Sequence, residues 1–114
     1  MTTRWEKGDE HLRLIVEGLN SNAADFKSAL EINLDANILV DLTKMEKLDT
    51  RSAKFLNEFA VSHKEKNFSI LTASKNKIPA LTKMEVVPTV NEARDLIFME
   101  ITERELGFFG EEEE

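Results

Sequence analysis

Short apolar runs along the chain alternate with longer stretches in which apolar residues recur every three or four positions. Ile38-Leu39-Val40, interrupted by Asp41 and resumed at Leu42, is a branched run of the kind that builds a strand buried on both faces of a parallel sheet. Thr43 to Leu48 reads as a loop. Asp49 then caps a helix whose inner face, by its spacing, is Ser52, Ala53, Leu56, Phe59, Ala60 and His63. Leu48 and Ala53 sit at the positions of a hydrophobic staple. Asn67 closes this helix after Lys64-Glu65-Lys66, whose bases suit the negative end of the helix dipole.

The flanking segments follow the same logic. Thr3 to Lys7 predicts a first strand, and Gly8-Asp9 a turn. His11 to Glu17 predicts a second strand, with Leu12, Leu14 and Val16 on one face and Ile15 on the other. Together they form an N-terminal hairpin. The turn formers Gly18 to Asn22 lead, with Ser21 or Asn22 as cap, into a helix over Ala23 to Leu34 whose stripe is Phe26, Ala29, Leu30 and Asn33. Phe68 to Ala73 is a further strand. Pro79 confines any helix between Ser74 and Glu85 to a short one beginning near Ile78. Val86-Val87-Pro88 predicts an edge strand, because proline has no N–H to give. Thr89 and Glu92 form a capping box for the longest helix, Val90 to about Leu106. The outcome is an α/β single domain with a four- to five-stranded mixed sheet, an N-terminal hairpin and about four helices.

The order apolar strand, Asp41-Leu42, five residues, then Leu48-Asp49-Thr50 at a helix start resembles the signature of STAS domains, the fold of anti-sigma-factor antagonists. In that family the hydroxyl residue after the Asp is phosphorylated by a partner kinase, within a D-S-S-G pattern followed by an apolar residue. Here the matching residues are Asp49-Thr50-Arg51-Ser52-Ala53: the Asp and the hydroxyl are kept, the second Ser is Arg51 and the Gly is Ser52. The resemblance covers residues 9–106, and VVPTVNEARDLIFMEITEREL is similar to the small stand-alone STAS proteins of Bacteroidetes. It implies a STAS-like domain over residues 1–110, followed by an acidic tail at 111–114. It further implies a non-enzymatic regulatory module that binds an anti-sigma-factor-type kinase or related protein and lets go when Thr50 is phosphorylated. Asp49, Thr50, Arg51, Lys54, Asn57, Glu58 and Val61 would form the partner surface. Two alternatives stand beside it: a degenerate STAS subunit that scaffolds or dimerises without phosphorylation, and a nucleotide-sensing STAS domain.

Composition narrows the field around this reading. The 114 residues suffice for one modest core. There are no cysteines, hence no disulfides, thiol catalysis or cysteine-ligated metals. No apolar run approaches the ~20 residues of a membrane span, and MTTRWEKGDE lacks a signal-peptide core, which predicts a cytoplasmic protein. The net charge of −7 owes much to Glu111 to Glu114, and without that run the chain is only mildly acidic. Binding to nucleic acid or anionic lipid depends on clustered Lys and Arg, and none is present.

Candidate chemistry is sparse. Thr50, as the first helical residue, sits where free backbone N–H groups and the positive dipole end would favour a phosphate, with Arg51 able to add a charge-assisted bond. The same residues also read simply as a helix cap. The last helix carries apolar residues beyond one stripe: Val90, Ala93, Ile97 and Ile101 point inward, while Leu96, Phe98, Met99 and Leu106 lie elsewhere. A helix apolar on several faces is buried more than once. Phe98, Met99 and Leu106, with Phe108 and Phe109, therefore form a candidate homodimer or tail interface. Of the two histidines, His11 falls on the expected second strand, and His63, on the inner face of its helix, reads as a packed or capping residue rather than a base. With no metal-spaced His/Glu pair, P-loop or nucleophile elbow, the expectation is a non-enzyme without metal or cofactor.

Overall fold

The structure, a computed structural model, describes residues 1–106. Strands β1 (Thr2–Lys7), β2 (Leu12–Asn20), β3 (Ile38–Lys47), β4 (Ile70–Ala73) and β5 (Val86–Val87) lie side by side in chain order. β1 and β2 form the expected antiparallel hairpin, and every later pair is parallel. Helices α1 (Ala23–Leu30) and α2 (Thr50–Glu65) cross over from β2 to β3 and from β3 to β4, and α3 (Val90–Glu105) follows β5. The described residues thus hold an α/β fold with a five-stranded mixed sheet and three helices.

Two apolar clusters show how the layers stack. Leu14, Val16, Ile38, Val40, Leu42 and Ile70 of the sheet pack with Phe26, Ala29 and Leu30 of α1 and Ala53, Leu56 and Ala60 of α2. On the opposite face Leu39, Leu71 and Ala73 pack with Ala93 and Ile97 of α3. Successive right-handed crossovers moving one way across a sheet place their helices on one face, which leaves the other face to α3. Ile38 to Leu42 are therefore buried from both sides, as the apolar run predicts.

Three expectations need correction. Thr43 to Lys47 is not a loop but the second half of β3, paired with Glu17, Gly18 and Asn20 of a longer β2. Its alternation of half-buried Thr43 and Met45 with exposed Lys44 and Glu46 is the period of a strand. A bulge between Ile15 and Glu17, and Gly18 at φ +139°, let β2 follow β3 this far. The first helix stops at Leu30 rather than Leu34, because Ile32 and Leu34 find no core and are exposed. No helix forms near Ile78. After one turn, closed by Leu81 N–H donating to the Ile78 carbonyl at 3.0 Å, Thr82 and Lys83 turn their N–H groups to Asn57 Oδ1 at 3.0 and 3.2 Å. Those donors would have continued a helix.

Candidate functional site

The β3–α2 junction is built from both sides. Ser21, just past β2, donates its N–H to the Lys47 carbonyl at 3.1 Å, and its hydroxyl accepts from Asp49 N–H at 2.7 Å. Asp49 Oδ1 in turn accepts from Ser52 N–H at 2.7 Å, which makes it the N-cap of α2 as its position predicts. The neighbouring Ser52 hydroxyl, which makes no hydrogen bond of its own, and the Ser52 N–H, with the Ser21 hydroxyl and the Arg51 charge, hold the Asp49 carboxyl below the ordinary Asp range against the opposing effect of burial. A phosphate placed beside Asp49 would therefore meet a carboxylate at any physiological pH.

Thr50 opens α2 and is exposed, whereas Ser52, two residues on, is fully buried. Only Thr50 of these two hydroxyls is reachable by another protein. Arg51, Lys54, Glu58 and Val61 are exposed as well. Asn57 is not free. Its amide donates to the Ala80 carbonyl at 2.8 Å while its oxygen accepts from Thr82 and Lys83, and one turn-pair further Lys64 Nζ donates to the Lys83 carbonyl at 2.7 Å. α2 thus carries the β4–β5 loop along its flank, and Leu81 and Met84 of that loop are buried. Asn57 is a loop anchor rather than an open contact.

Bringing that loop against the end of β3 creates a groove of about 280 Å³ at the carboxyl ends of the strands. Met45, Leu48, Ile78 and Pro79 give it an apolar lining, with Glu46 and Lys77 at its sides. None of these residues stood out in the sequence as an anchor, because they come from the far end of β3 and the turn after it on one side and from the β4–β5 loop, about thirty positions on, on the other. Their lining becomes visible only once β3 and β4 are neighbours.

A second unforeseen feature is the pair Arg13–Asp41. Asp41 is fully buried; its Oδ2 accepts from Arg13 Nε at 3.0 Å and Nη2 at 2.6 Å, and its Oδ1 from the Thr43 N–H and hydroxyl at 2.9 and 2.6 Å. Burial pushes the Asp41 carboxyl up, but the Thr43 hydroxyl and N–H and the Arg13 guanidinium outweigh it and hold it below the ordinary range. With every lone pair engaged, the pair locks β2 to β3 and offers no chemistry to a substrate. His63 is likewise structural: its ring lies 5.0 Å from Phe59 and 5.3 Å from Phe68, and Nε2 carries a proton to the Ala36 carbonyl.

Phe98 and Met99 on α3 are 63% and 53% exposed and Leu106 at its C-cap is 49% exposed, as an interface reading requires, while Leu96 and Ile101 are half-buried against the smaller cluster. Phe98 borders a groove of about 590 Å³ with Lys7, Gly8, Asp9 and His11 of the hairpin turn. Phe108 and Phe109 lie outside the described residues. Among the described residues no group of His, Cys, Asp or Glu is placed to hold a metal, and no helix is long and apolar enough to cross a membrane. Compared with known proteins, the chain matches no family model, and no curated protein is similar enough to count as a match.

Proposed function

We propose that this chain is a non-enzymatic, STAS-like regulatory module of the cytoplasm that acts by binding another protein through the start of α2. The observation that carries the reading is the pairing of an exposed Thr50 at the first turn of α2 with an apolar groove beside it. Free N–H groups and the dipole at the helix start would hold a phosphate on Thr50, and its two or so negative charges next to Asp49 would repel a docked acidic or apolar surface. The groove lined by Met45, Leu48, Ile78 and Pro79 adds the apolar anchor that α2's own outer face, with Val61 alone, lacks. The partner that fits the resemblance is a kinase-type anti-sigma factor, bound by the unmodified form.

The test is capture of the tagged chain from its own host, with mass spectrometry of the co-purifying proteins and of the Thr50 peptide. A kinase-like partner with fractional Thr50 phosphorylation supports the reading, and Thr50→Glu then abolishes capture while Thr50→Ala retains it. If both variants capture the same proteins as the parent chain, the switch does not exist. A second reading rests on the exposed Phe98 and Met99: a scaffold subunit that assembles through α3 without phosphorylation. Loss of assembly on Met99→Asp, with indifference to Thr50, would mark it.

A further inference from the structure

The sheet has two edges, and they are unlike. β5 is two residues long and runs into Pro88, so it offers almost nothing to pair with. β1 is six residues long, pairs with β2 without interruption, and leaves Thr2, Thr3, Arg4, Glu6 and Lys7 exposed. A long, exposed edge of this kind is a template for another strand.

Two backbone bonds settle which groups face outward. Gly8 N–H donates to the His11 carbonyl at 2.9 Å across the hairpin, and Leu12 N–H donates to the Asn37 carbonyl at 2.8 Å toward β3. By the two-residue period, Arg4 and Glu6 direct their backbone groups to β2, and Thr3, Trp5 and Lys7 direct theirs away from the sheet. Beyond β1–β2 pairing, no hydrogen bond to these outward groups occurs among the described residues.

From this edge we infer that the chain self-associates through β1, which pairs antiparallel with β1 of a second copy about a two-fold axis at Trp5. Only registers that oppose outward residues to outward residues keep the backbone bonds. With Trp5 opposite its own copy, Thr3 faces Lys7 and about six backbone hydrogen bonds form. In that register Arg4 lies opposite Glu6 of the second copy, and Glu6 opposite Arg4, on the sheet face away from α1 and α2. A slip of two residues one way sets Arg4 against Arg4. The same slip the other way sets Glu6 against Glu6. Charge therefore selects one register, and like charges directly opposite disfavour its neighbours. Within one chain Glu6 accepts from Arg13 Nη1 at 3.3 Å and meets Arg4 only at 3.8 Å, so the exposed Arg4 is available for exchange. The result is a continuous sheet through both copies, and this surface shares no residue with the Thr50 site or with α3.

A six-residue strand pair buries less than the ~1,200 Å² of a standard interface, so the association is weak and concentration-dependent. The experiment is sedimentation of the full chain from micromolar to near-millimolar concentration, with the fluorescence of Trp5, the only tryptophan, as a second readout. Arg4→Glu should weaken dimerisation by about tenfold, since it opposes two pairs of like charge at once. Thr3→Pro removes an outward N–H that the fold does not use, so it should abolish the dimer with the monomer's thermal midpoint nearly unchanged. Arg4→Pro, whose N–H faces β2, should destabilise the monomer itself. A chain that stays monomeric at the highest concentration overturns the proposal. So does a dimer indifferent to Thr3→Pro and Arg4→Glu but dissociated by Met99→Asp.

Discussion

The two ends of the sheet are built in opposite ways. At the amino ends of β3 and β4, polar side chains are knotted together. Asn37 accepts from Ser69 N–H at 2.8 Å and Arg104 Nη2 at 3.1 Å while its amide donates to the Glu10 carbonyl at 3.0 Å; Ser69 Oγ donates to Glu100 at 2.8 Å and accepts from Arg104 at 2.8 Å. One side chain, Asn37, thereby joins the hairpin turn, β4 and α3. Beneath this knot α2 ends in a Schellman turn: Asn67, at φ +66°, donates to the Lys64 carbonyl at 2.9 Å, Phe68 donates to that of His63 at 3.2 Å, and the His63 and Phe68 rings pack. At the carboxyl ends the chain closes its own hydrogen bonds with Ser21, Asp49 and Asn57 and leaves Thr50, Arg51 and an apolar groove facing outward. One end holds the fold together. The other carries side chains that folding does not need, and such side chains can be modified or bound without unfolding the domain.

The sharpest way to break this contrast is Asn37→Ala. It leaves the buried Ser69 N–H without an acceptor and unties Arg104, and should cost about 2–3 kcal/mol in chemical denaturation. A loss no larger than that of an ordinary surface change would mean that the knot is ornamental. Acid sharpens the same contrast. Burial lowers the His63 pKa, helped by the Lys66 charge and only partly opposed by the Ala36 carbonyl and Asp35. Its folded value therefore lies below the unfolded value of about 6.5, the unfolded chain binds the extra proton, and stability falls as pH drops through that unfolded value toward the folded one. Asp41 and Asp49, both lowered, stabilise fully above their unfolded values near 4 and fade only as pH falls below that. Thermal unfolding between pH 7.5 and 5.5 should therefore show a decline that His63→Gln removes.

Helix α2 was legible in the sequence from one end to the other, because its signals are local, whereas the knot of Asn37, Ser69, Glu100 and Arg104 was not, because its members lie far apart in the chain. Asp49, the spacing from Ser52 to His63, and Asn67 each act within a turn of where they stand, and the cap, the buried face and the stop all fall at those residues. The longer β3 was not read, since Thr43 to Lys47 is polar enough to pass for a loop until β2 is known to extend beside it. The β4–β5 segment failed for the same kind of reason: its hydrogen bonds go to Asn57 and Lys64, about twenty residues earlier, and no local pattern announces them. Asp41 looked like a break in an apolar run, and its partner Arg13 lies 28 residues away. The groove depends at once on the end of β3 and on the β4–β5 loop. What the sequence did place correctly at the open end is Thr50 itself, exposed at the head of a capped helix.

Asn57→Ala tests how far the open end relies on its own ties. It frees the Ala80 carbonyl and the Thr82 and Lys83 N–H groups, but all are near solvent, so the cost should be about 1 kcal/mol. The larger effect should be on the groove, as faster amide exchange from Ala80 to Lys83 with α1 and β2 unchanged. Protection that survives the substitution would show that Leu81 and Met84 hold the loop by burial alone.

The smallest effect is the most telling. Thr50→Ala removes an exposed hydroxyl whose backbone already has its helical place, and Asp49 still caps Ser52, so stability should stay within about 0.5 kcal/mol of the parent chain. Thr50→Glu adds a carboxylate that the dipole favours and Asp49 opposes, and the two nearly cancel. If either variant cost as much as Asn37→Ala, Thr50 would belong to the scaffold, and the division between a tied end and a free end would be false. If both are silent in unfolding but Thr50→Glu changes what the chain binds, then the residue is spare for folding and used for recognition, which is the condition a phosphorylation switch has to meet.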